Sequence, residues 1–438
     1  MCGKQVSLVY WALFSAPFDS HLTPSRENYM PKSKVRLEFL LLMAAMMCLM
    51  ALYIDAMLPA LYQIGVDFDA LEGNRYQMVI TAVMVGMGIG QIFYGPLSDT
   101  FGRKPTVYVG FCLMLVGTLI SLFAPSFEWM LAGRVLQGLG AAGPRVMMTA
   151  IVRDCYSGAD MARVMSLVMT IFIFSPVVAP MVGQLVLLVS GWRAVFVLLL
   201  LLSLATVVWF ALRQPETLSA ENVRAFSMRP ILAGMKTVVA HREALIYTLA
   251  GGLIHGALIG FLTSIQGILQ GIYDTGSMFP VYFALMAIGV AISSFINSRL
   301  VYLYSLRNLV LVVLLFLTLI SLLETLVISA FDLHLPLLGF VVMMALSTFC
   351  FGLLFGNLSS LAMEPFGRLA GIASGTIGAL TMLVGVLVGS LIGLSFNGTL
   401  VPMLLGFGLS ALLAFVLIYL GTAARSDQEN ESHVAAVN

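Results

Sequence analysis

Charged residues are scarce in this sequence. Aspartate, glutamate, lysine and arginine make up 10% of its 438 residues, whereas soluble domains carry about 25%. Hydrophobic residues make up 60%, and the mean hydropathy is +1.01. This imbalance excludes a soluble globular protein and predicts a multi-pass protein embedded in a lipid bilayer.

Motifs for metal, redox and nucleotide chemistry are missing as well. The five cysteines are scattered and form no CxxC pair, so neither a zinc site nor a disulfide framework is indicated. No HExxH, GxSxG or GxxxxGK[ST] stretch occurs, which argues against the corresponding hydrolases and ATPases. The net charge of +1 gives no sign of nucleic-acid binding. We therefore expect no enzyme activity, no cofactor and no metal.

Long apolar runs dominate the chain instead. A helix needs about 20 apolar residues to cross the hydrocarbon core, and the runs of that length are predicted to be the membrane spans. They lie near residues 37–60, 76–97, 106–124, 129–152, 162–189, 192–212, 244–268, 279–299, 308–329, 335–360, 369–395 and 400–421. The pattern predicts an all-α membrane protein with twelve transmembrane helices in two six-helix bundles.

The longest charged stretch between spans divides the chain into matched halves. The predicted domains are an N-terminal segment at 1–36, a bundle at 37–212, a linker at 213–243, a bundle at 244–421 and a tail at 422–438. A weak internal repeat supports this division, because Gly95–Pro105 follows the second span and Asn297–Asn308 follows the eighth. Such spacing is typical of parallel repeats in transporters.

The basic residues predict the orientation of the chain. Most of the 22 lysines and arginines fall in the loops on the side of the N-terminus, and such loops are cytoplasmic. We expect a multi-pass protein of the inner (plasma) membrane with both termini and the linker in the cytoplasm. A basic stretch follows Met30 and leads into the first span, so the mature protein is expected to begin at Met30.

Two arginines interrupt the fourth apolar run. Arg134 and Arg145 are eleven positions apart, about three helical turns, and so lie close to one face. Small residues between them, from Gly138 to Gly143, leave a thin flank for close packing. A charge inside the membrane usually faces a bundle interior or a cavity. The alternative is that both arginines bind backbone carbonyls or reach an interface.

Asp55 is the acidic residue best placed to partner Arg134. It lies near the outer end of the first span, and Arg134 lies at a similar depth on an antiparallel span. An ion pair between them is therefore possible. The alternative is that Asp55 ends its helix and reaches external water.

The stretch GPLSDTFGRKP (Gly95–Pro105) is the most specific motif. It reads as a short cytoplasmic turn in which Gly95 and Gly102 supply backbone freedom. Asp99, Arg103 and Lys104 place opposite charges in one tight loop. In order of residue types the stretch resembles the signature between the second and third helices of the major facilitator superfamily.

Further stretches resemble the Bcr/CflA drug:proton antiporter branch of that superfamily. They are IDAMLPAL (54–61), RVLQGLGAA (134–142), IVRDCYSG (151–158), SPVVAPMVGQ (175–184) and GWRAVF (191–196). The fourth of these is similar to the antiporter motif of the fifth helix, with Ser175, Pro176, Pro180 and Gly183. The chain departs from the usual patterns at Met57, Ala179 and Gln184.

The resemblance implies roles for the charged loop. Asp99 would dock onto the start of the eleventh helix near Gly367–Gly371, where the helix dipole favours an anion. Arg103 would pair with Asp99 and with Asp154. These contacts would act as a conformational latch that holds the outward-open state and releases as the halves rock.

The resemblance also implies a function. We expect a proton-coupled exporter of small amphipathic or aromatic drugs that works by alternating access, as a monomer. Independently of the resemblance, the matched depth of Asp55 and Arg134 and the effect of a nearby cation on a buried carboxylate predict that these two residues couple the proton. A uniporter or symporter for a native metabolite is the alternative. Gln137, His255 and Gln266 are candidate cavity residues, although His255 and Gln266 could equally serve as hydrogen-bonding groups between helices.

Overall fold

The computed structural model of the protein describes residues 37–219, 228–331 and 335–437. The predicted N-terminal segment, including Met30, lies outside the described residues, as does part of the linker. Within the described ranges every regular element is helical, and twelve helices are long and apolar enough to cross a membrane. The predicted twelve-helix fold is therefore confirmed.

The spanning helices are numbered α1 to α12. In the first half they are α1 (Leu37–Asp55), α2 (Met78–Phe101), α3 (Arg103–Leu122), α4 (Phe127–Cys155), α5 (Gly158–Ile173 and Ser175–Val189) and α6 (Arg193–Arg213). In the second half they are α7 (Arg242–Gln266), α8 (Phe279–Leu303), α9 (Leu306–Phe331), α10 (Leu337–Met363), α11 (Ala370–Leu394) and α12 (Val401–Val437).

Three local features differ from the simple reading of the sequence. The fifth span is two helices that meet at Phe174, because Pro176 and Pro180 remove backbone N–H donors. The polar linker contains a further helix, Met228–Ala240. Gly95 lies inside α2 rather than in the turn that follows it, so the expectation that the turn needs Gly95 is wrong.

Glycines bring α4 against its neighbours in the first half. A Cβ atom at Gly110 of α3 would lie 3.0 Å from the carbonyl oxygen of Gly140, and one at Gly117 would lie 2.6 Å from the backbone nitrogen of Gln137. On the α2 side, a Cβ atom at Gly138 would collide with the Val83 carbonyl. The thin flank expected of α4 is therefore real, and the backbones approach as small residues permit in membranes.

The two halves meet at one end of the molecule, which we call the Asn74 end. Asn74, in the loop before α2, donates from its side-chain amide to the carbonyl oxygens of Leu394 at 3.3 Å and Phe396 at 2.6 Å. Deeper in, a Cβ atom at Gly88 of α2 would lie 3.3 Å from the Cβ atom of Met382 of α11. Contacts between α2 and α11 thus close this end.

The opposite end, which we call the Asp99 end, is more open. A Cβ atom at Gly356 of α10, or at Gly367 or Gly371 before and in α11, would meet no heavy atom within 4 Å. Thr149 of α4 and Ser374 of α11 are exposed. The structure is therefore closed at the Asn74 end and accessible at the Asp99 end.

Candidate functional site

Arg134 lies in the core of the first half. Its side chain is 0% exposed. The guanidinium donates from Nε to the Val79 carbonyl at 2.9 Å and from Nη2 to the Tyr53 carbonyl at 2.8 Å. Nη1 donates to Gln137 Oε1 at 2.9 Å. Three oxygen atoms on three helices therefore satisfy this buried cation.

The ion pair expected between Asp55 and Arg134 is not formed in this conformation. Among the described residues, the ion pairs join other partners. The reason is local: the carbonyl of Tyr53, two residues before Asp55, takes the guanidinium nitrogen that faces α1. The alternative raised from the sequence, that backbone carbonyls bind Arg134, describes this structure.

A hydroxyl network surrounds this arginine. The Tyr53 hydroxyl hydrogen-bonds with Thr118 Oγ1 at 3.0 Å and with Ser203 Oγ at 2.9 Å, and Gln137 Nε2 donates to Thr118 Oγ1 at 3.2 Å. Gln137 is buried within the first half, so its expected place in a cavity is wrong. Tyr53 was missed by sequence reasoning, although a tyrosine two residues before an intramembrane aspartate was a usable signal.

Asp55 ends α1 and is 5% exposed. The next residue, Ala56, packs on Gly183 of α5, where an added Cβ atom would lie 3.2 Å from the Ala56 Cα atom and closer to its carbonyl. Pro180 and Ser175 of the same motif are also buried, while Pro176 is half-buried. The structure thus brings Asp55 beside the antiporter-type motif, which the sequence could only place on another helix.

Arg103 organises the charged loop. Its side chain is 6% exposed, and it pairs through Nη1 with Asp99 at 2.6 Å and through Nε with Asp154 at 2.8 Å. Nη1 also donates to Ser98 Oγ at 2.6 Å. These are the two ion pairs that the resemblance implied, and together they tie the ends of α2, α3 and α4.

Glu216 completes this loop and was missed from the sequence. It follows α6, and its carboxylate accepts the backbone N–H groups of Arg103 and Lys104, both at 2.9 Å. An anion suits this position because the first N–H groups of a helix lack partners within the helix. The sequence did contain a signal for this cap, since Glu216 is an acidic residue three positions after the end of α6.

Gly102 is required by the geometry of the same loop. Its φ angle is +100°, a conformation that disfavours residues with a side chain. A Cβ atom here would also lie 2.6 Å from Glu216 Oε2. Lys104, two positions after Gly102, donates from Nζ to the Ala211 carbonyl at 3.0 Å. This hydrogen bond anchors the loop to α6.

The expected docking of Asp99 onto α11 is not formed here. The Asp99 side chain is 44% exposed and pairs with Arg103 of its own half. Gly367 and Gly371, the expected receptor, face open space. The halves are separated at the Asp99 end in this conformation, which is the physical reason for the difference.

Polar side chains of both halves lie against α11, Gln91 at Gly378 and His255 at Gly385. Arg145 Nη1 donates to Gln91 Oε1 at 3.1 Å. His255 of α7 packs edge-on against the Phe355 ring with centroids 5.7 Å apart, and its buried Nε2 has no hydrogen-bond partner among the described residues. Gln266 is buried near the other end of α7.

No cluster in the described part of the chain carries the three or more histidine, cysteine, aspartate or glutamate side chains that a metal site would need. The carboxylates, cations and aromatic rings described above can exchange protons, form ion pairs and pack against a ligand.

Comparisons with known proteins agree with this fold. A family model described as Major Facilitator Superfamily matches residues 39–390. An uncharacterised MFS-type transporter, YdgK, of Bacillus subtilis is 30% identical over 85% of this chain and 92% of its own length. A bicyclomycin resistance protein homolog of Haemophilus influenzae is 28% identical over 90% of this chain and 98% of its own.

Two further matches extend the comparison. The multidrug resistance protein MdtL of Salmonella paratyphi C is 29% identical over 90% of this chain and 97% of its own. The crystal structure of the human organic anion transporter MFSD10 (TETRAN) covers 88% of this chain and 100% of its own at 19% identity. Its TM-score of 0.64 shows a shared fold.

Proposed function

The chain belongs to the major facilitator superfamily, a class of transporters rather than enzymes, and on this premise we propose that it exports small amphipathic or aromatic drugs in exchange for protons. Its homologues include proteins named for bicyclomycin and multidrug resistance, as in Bcr/CflA-type exporters. The structural observation that carries the coupling part is Asp55, a buried carboxylate at the contact between α1 and the antiporter-type motif of α5.

Alternating access accounts for the two different ends of the molecule. With both termini in the cytoplasm of a bacterial inner membrane, as the basic loops favour, the open Asp99 end faces inward. A substrate then enters between the halves from the cytoplasm. Rocking of the halves would close the Asp99 end, dock Asp99 onto the start of α11 and open the Asn74 end, within a single chain.

In this proposal the proton binds to Asp55, the last residue of α1, and is released from it. A buried carboxylate is more easily held neutral than charged, so its protonation depends on how well the surroundings are hydrated. Gly183 keeps α5 against Ala56, and Arg134 holds the Tyr53 carbonyl two residues earlier. Loading or losing a proton at Asp55 would therefore alter the packing of α1 against α5, which opens or closes the Asn74 end.

We expect Asp55→Asn to abolish export driven by a pH gradient, because asparagine keeps the shape of the side chain and cannot exchange a proton. The measurement is drug-induced collapse of an imposed pH gradient in proteoliposomes. Asp69→Asn is the matched control, since Asp69 is exposed and its φ of +51° is one that asparagine tolerates. Full coupling by Asp55→Asn would place the proton site elsewhere.

The same vesicles test the alternative of a uniporter or symporter for a native metabolite. An antiporter collapses the gradient when substrate is added, a symporter moves substrate in the direction of proton flow, and a uniporter leaves the gradient unchanged. Candidate substrates come from growth of expressing cells on an antibiotic panel that includes bicyclomycin. Substrate movement without proton movement would contradict the proposal.

A further inference from the structure

Arg145 is a cation near the contact of the two halves, and no acidic side chain of the described residues pairs with it. It lies on α4 inside the fourth span, is half-buried, and donates to the neutral amide of Gln91. The ion pairs of the described residues do not include it. A charge held within a membrane is costly unless it is paired. Within the described ranges, Arg145 therefore lacks a counter-charge at ion-pairing distance.

The same site has a second polar group and an aromatic wall, both from the other half. His255 of α7 packs on α11 at Gly385, seven residues or about two turns from Gly378, which contacts Gln91, the hydrogen-bond partner of Arg145. Its buried Nε2 has no hydrogen-bond partner within the described ranges. The ring packs on Phe355 of α10 with centroids 5.7 Å apart. An imidazole nitrogen left unpaired in a buried place costs free energy that a ligand group would recover.

Packing holds these groups in place. The Gln91 amide lies against α11 at Gly378, where an added Cβ atom would be 2.9 Å from Gln91 Oε1. His255 fits against Gly385 of α11, where an added Cβ atom would lie 2.9 Å from the His255 Cδ2 atom. The site is thus built by α2 and α4 of one half and by α7, α10 and α11 of the other.

We propose that Arg145, His255 and Phe355 bind an aromatic organic monoanion, a carboxylate or sulfonate, as the transported substrate. The guanidinium takes the anionic group in a two-point contact, His255 adds a hydrogen bond, and Phe355 stacks on the aromatic body. The inference rests on the proposed export function and narrows its substrate class. Because the ligand bridges both halves, its binding favours a conformation in which they approach at the Asp99 end.

The test uses three probes of one shape and different charge. They are 2-naphthoate, 2-naphthamide and 2-naphthylmethylammonium, whose equilibrium binding to the purified full chain in detergent is measured. We expect 2-naphthoate to bind at least about tenfold more tightly than the other two, as a charge-assisted contact implies. Equal binding of the three probes by the parent protein would overturn the proposal without any variant.

Variants assign the preference to Arg145. Arg145→Gln should remove the preference for 2-naphthoate, and Arg145→Lys should retain part of it because lysine keeps the charge but lacks the planar fork. Arg299→Gln is the control, since Arg299 is exposed on α8. His255→Gln should weaken binding of 2-naphthoate more than binding of 2-naphthamide. A preference that survives Arg145→Gln contradicts the assignment.

Two further arms separate this inference from others. Displacement of 2-naphthoate by phosphatidylglycerol added to the micelles would show that Arg145 binds a lipid headgroup instead of a substrate. Export of a neutral drug under a pH gradient, without preference for the anion, would leave the transport function standing and reject the substrate class. Absence of gradient-driven export for every compound tested would reject the function itself.

Discussion

At the scale of single residues, the buried cation of the first half depends on oxygen atoms rather than on an opposite charge. Arg134 binds the carbonyls of Val79 and Tyr53 and the amide of Gln137. Because these oxygens belong to α2, α1 and α4, one side chain holds the three helices together. Its loss would leave several buried acceptors unpaired.

We therefore expect Arg134→Met to destabilise the protein by about 3 kcal/mol or more, since each unpaired buried acceptor costs about 1–3 kcal/mol. Arg134→Lys should recover only part, because lysine cannot reach three acceptors in fixed directions. The measurement is thermal unfolding in detergent. Arg193→Met, at an exposed arginine, is the control and should shift the midpoint little. An unchanged midpoint for Arg134→Met would show that the hydrogen bonds contribute little.

At the scale of helices, glycines and caps decide how the chain turns between α2 and α3. Gly102 adopts a φ of +100°, and the Glu216 carboxylate fills the space beside it while it caps α3. Gly95, seven residues earlier in the same motif, has open space around its Cα hydrogens. Two glycines of one motif therefore have different physical requirements.

Alanine substitution should separate these two glycines. Gly102→Ala places a methyl group against Glu216 in a strained conformation and should cost about 1–3 kcal/mol, with reduced transport. Gly95→Ala should be neutral or stabilise α2 by about 0.5–1 kcal/mol. Thermal unfolding and transport of the two variants, measured side by side, check this. Equal effects would mean that the turn does not depend on Gly102.

At the scale of the whole molecule, the halves are joined at the Asn74 end and apart at the Asp99 end. The pair of Gly88 and Met382 spans this junction, with the position of a Cβ atom on Gly88 3.3 Å from that of Met382. Disulfides join Cβ atoms about 3.5–4.5 Å apart. The distance at this pair is only slightly shorter, so a shift of a few tenths of an ångström would allow a reversible cross-link between the halves.

Cysteines at both positions, Gly88→Cys with Met382→Cys in a background without the native cysteines, should form a disulfide in this conformation. Transport should stop on oxidation and return on reduction, because the Asn74 end could no longer open. Each single variant is the control. Transport that continues in the fully cross-linked protein would contradict the rocking of the halves about this contact.

Asp99→Asn tests the other state of the molecule. In the conformation described here Asp99 is 44% exposed, and without it Arg103 keeps Asp154 and Ser98 as partners, so the thermal stability should change by only about 0–1 kcal/mol. Transport should fall strongly, because in the proposed cycle Asp99 docks onto α11 in the opposite state. The measurement is export at matched expression. Full export by Asp99→Asn would show that the loop is a charged turn and does not act as a latch.

The sequence by itself determined the twelve spans, because crossing a hydrocarbon core requires long apolar helices whatever their neighbours. The resemblance of the Gly95–Pro105 stretch to the family signature also predicted the ion pairs of Arg103 with Asp99 and Asp154, which the structure contains. The tertiary structure decided the partners of Arg134, the burial of Gln137 and the cap by Glu216. These contacts depend on the relative depth and rotation of the helices. A change of a few ångströms in either exchanges the hydrogen-bond partners but leaves the hydropathy of the sequence unchanged.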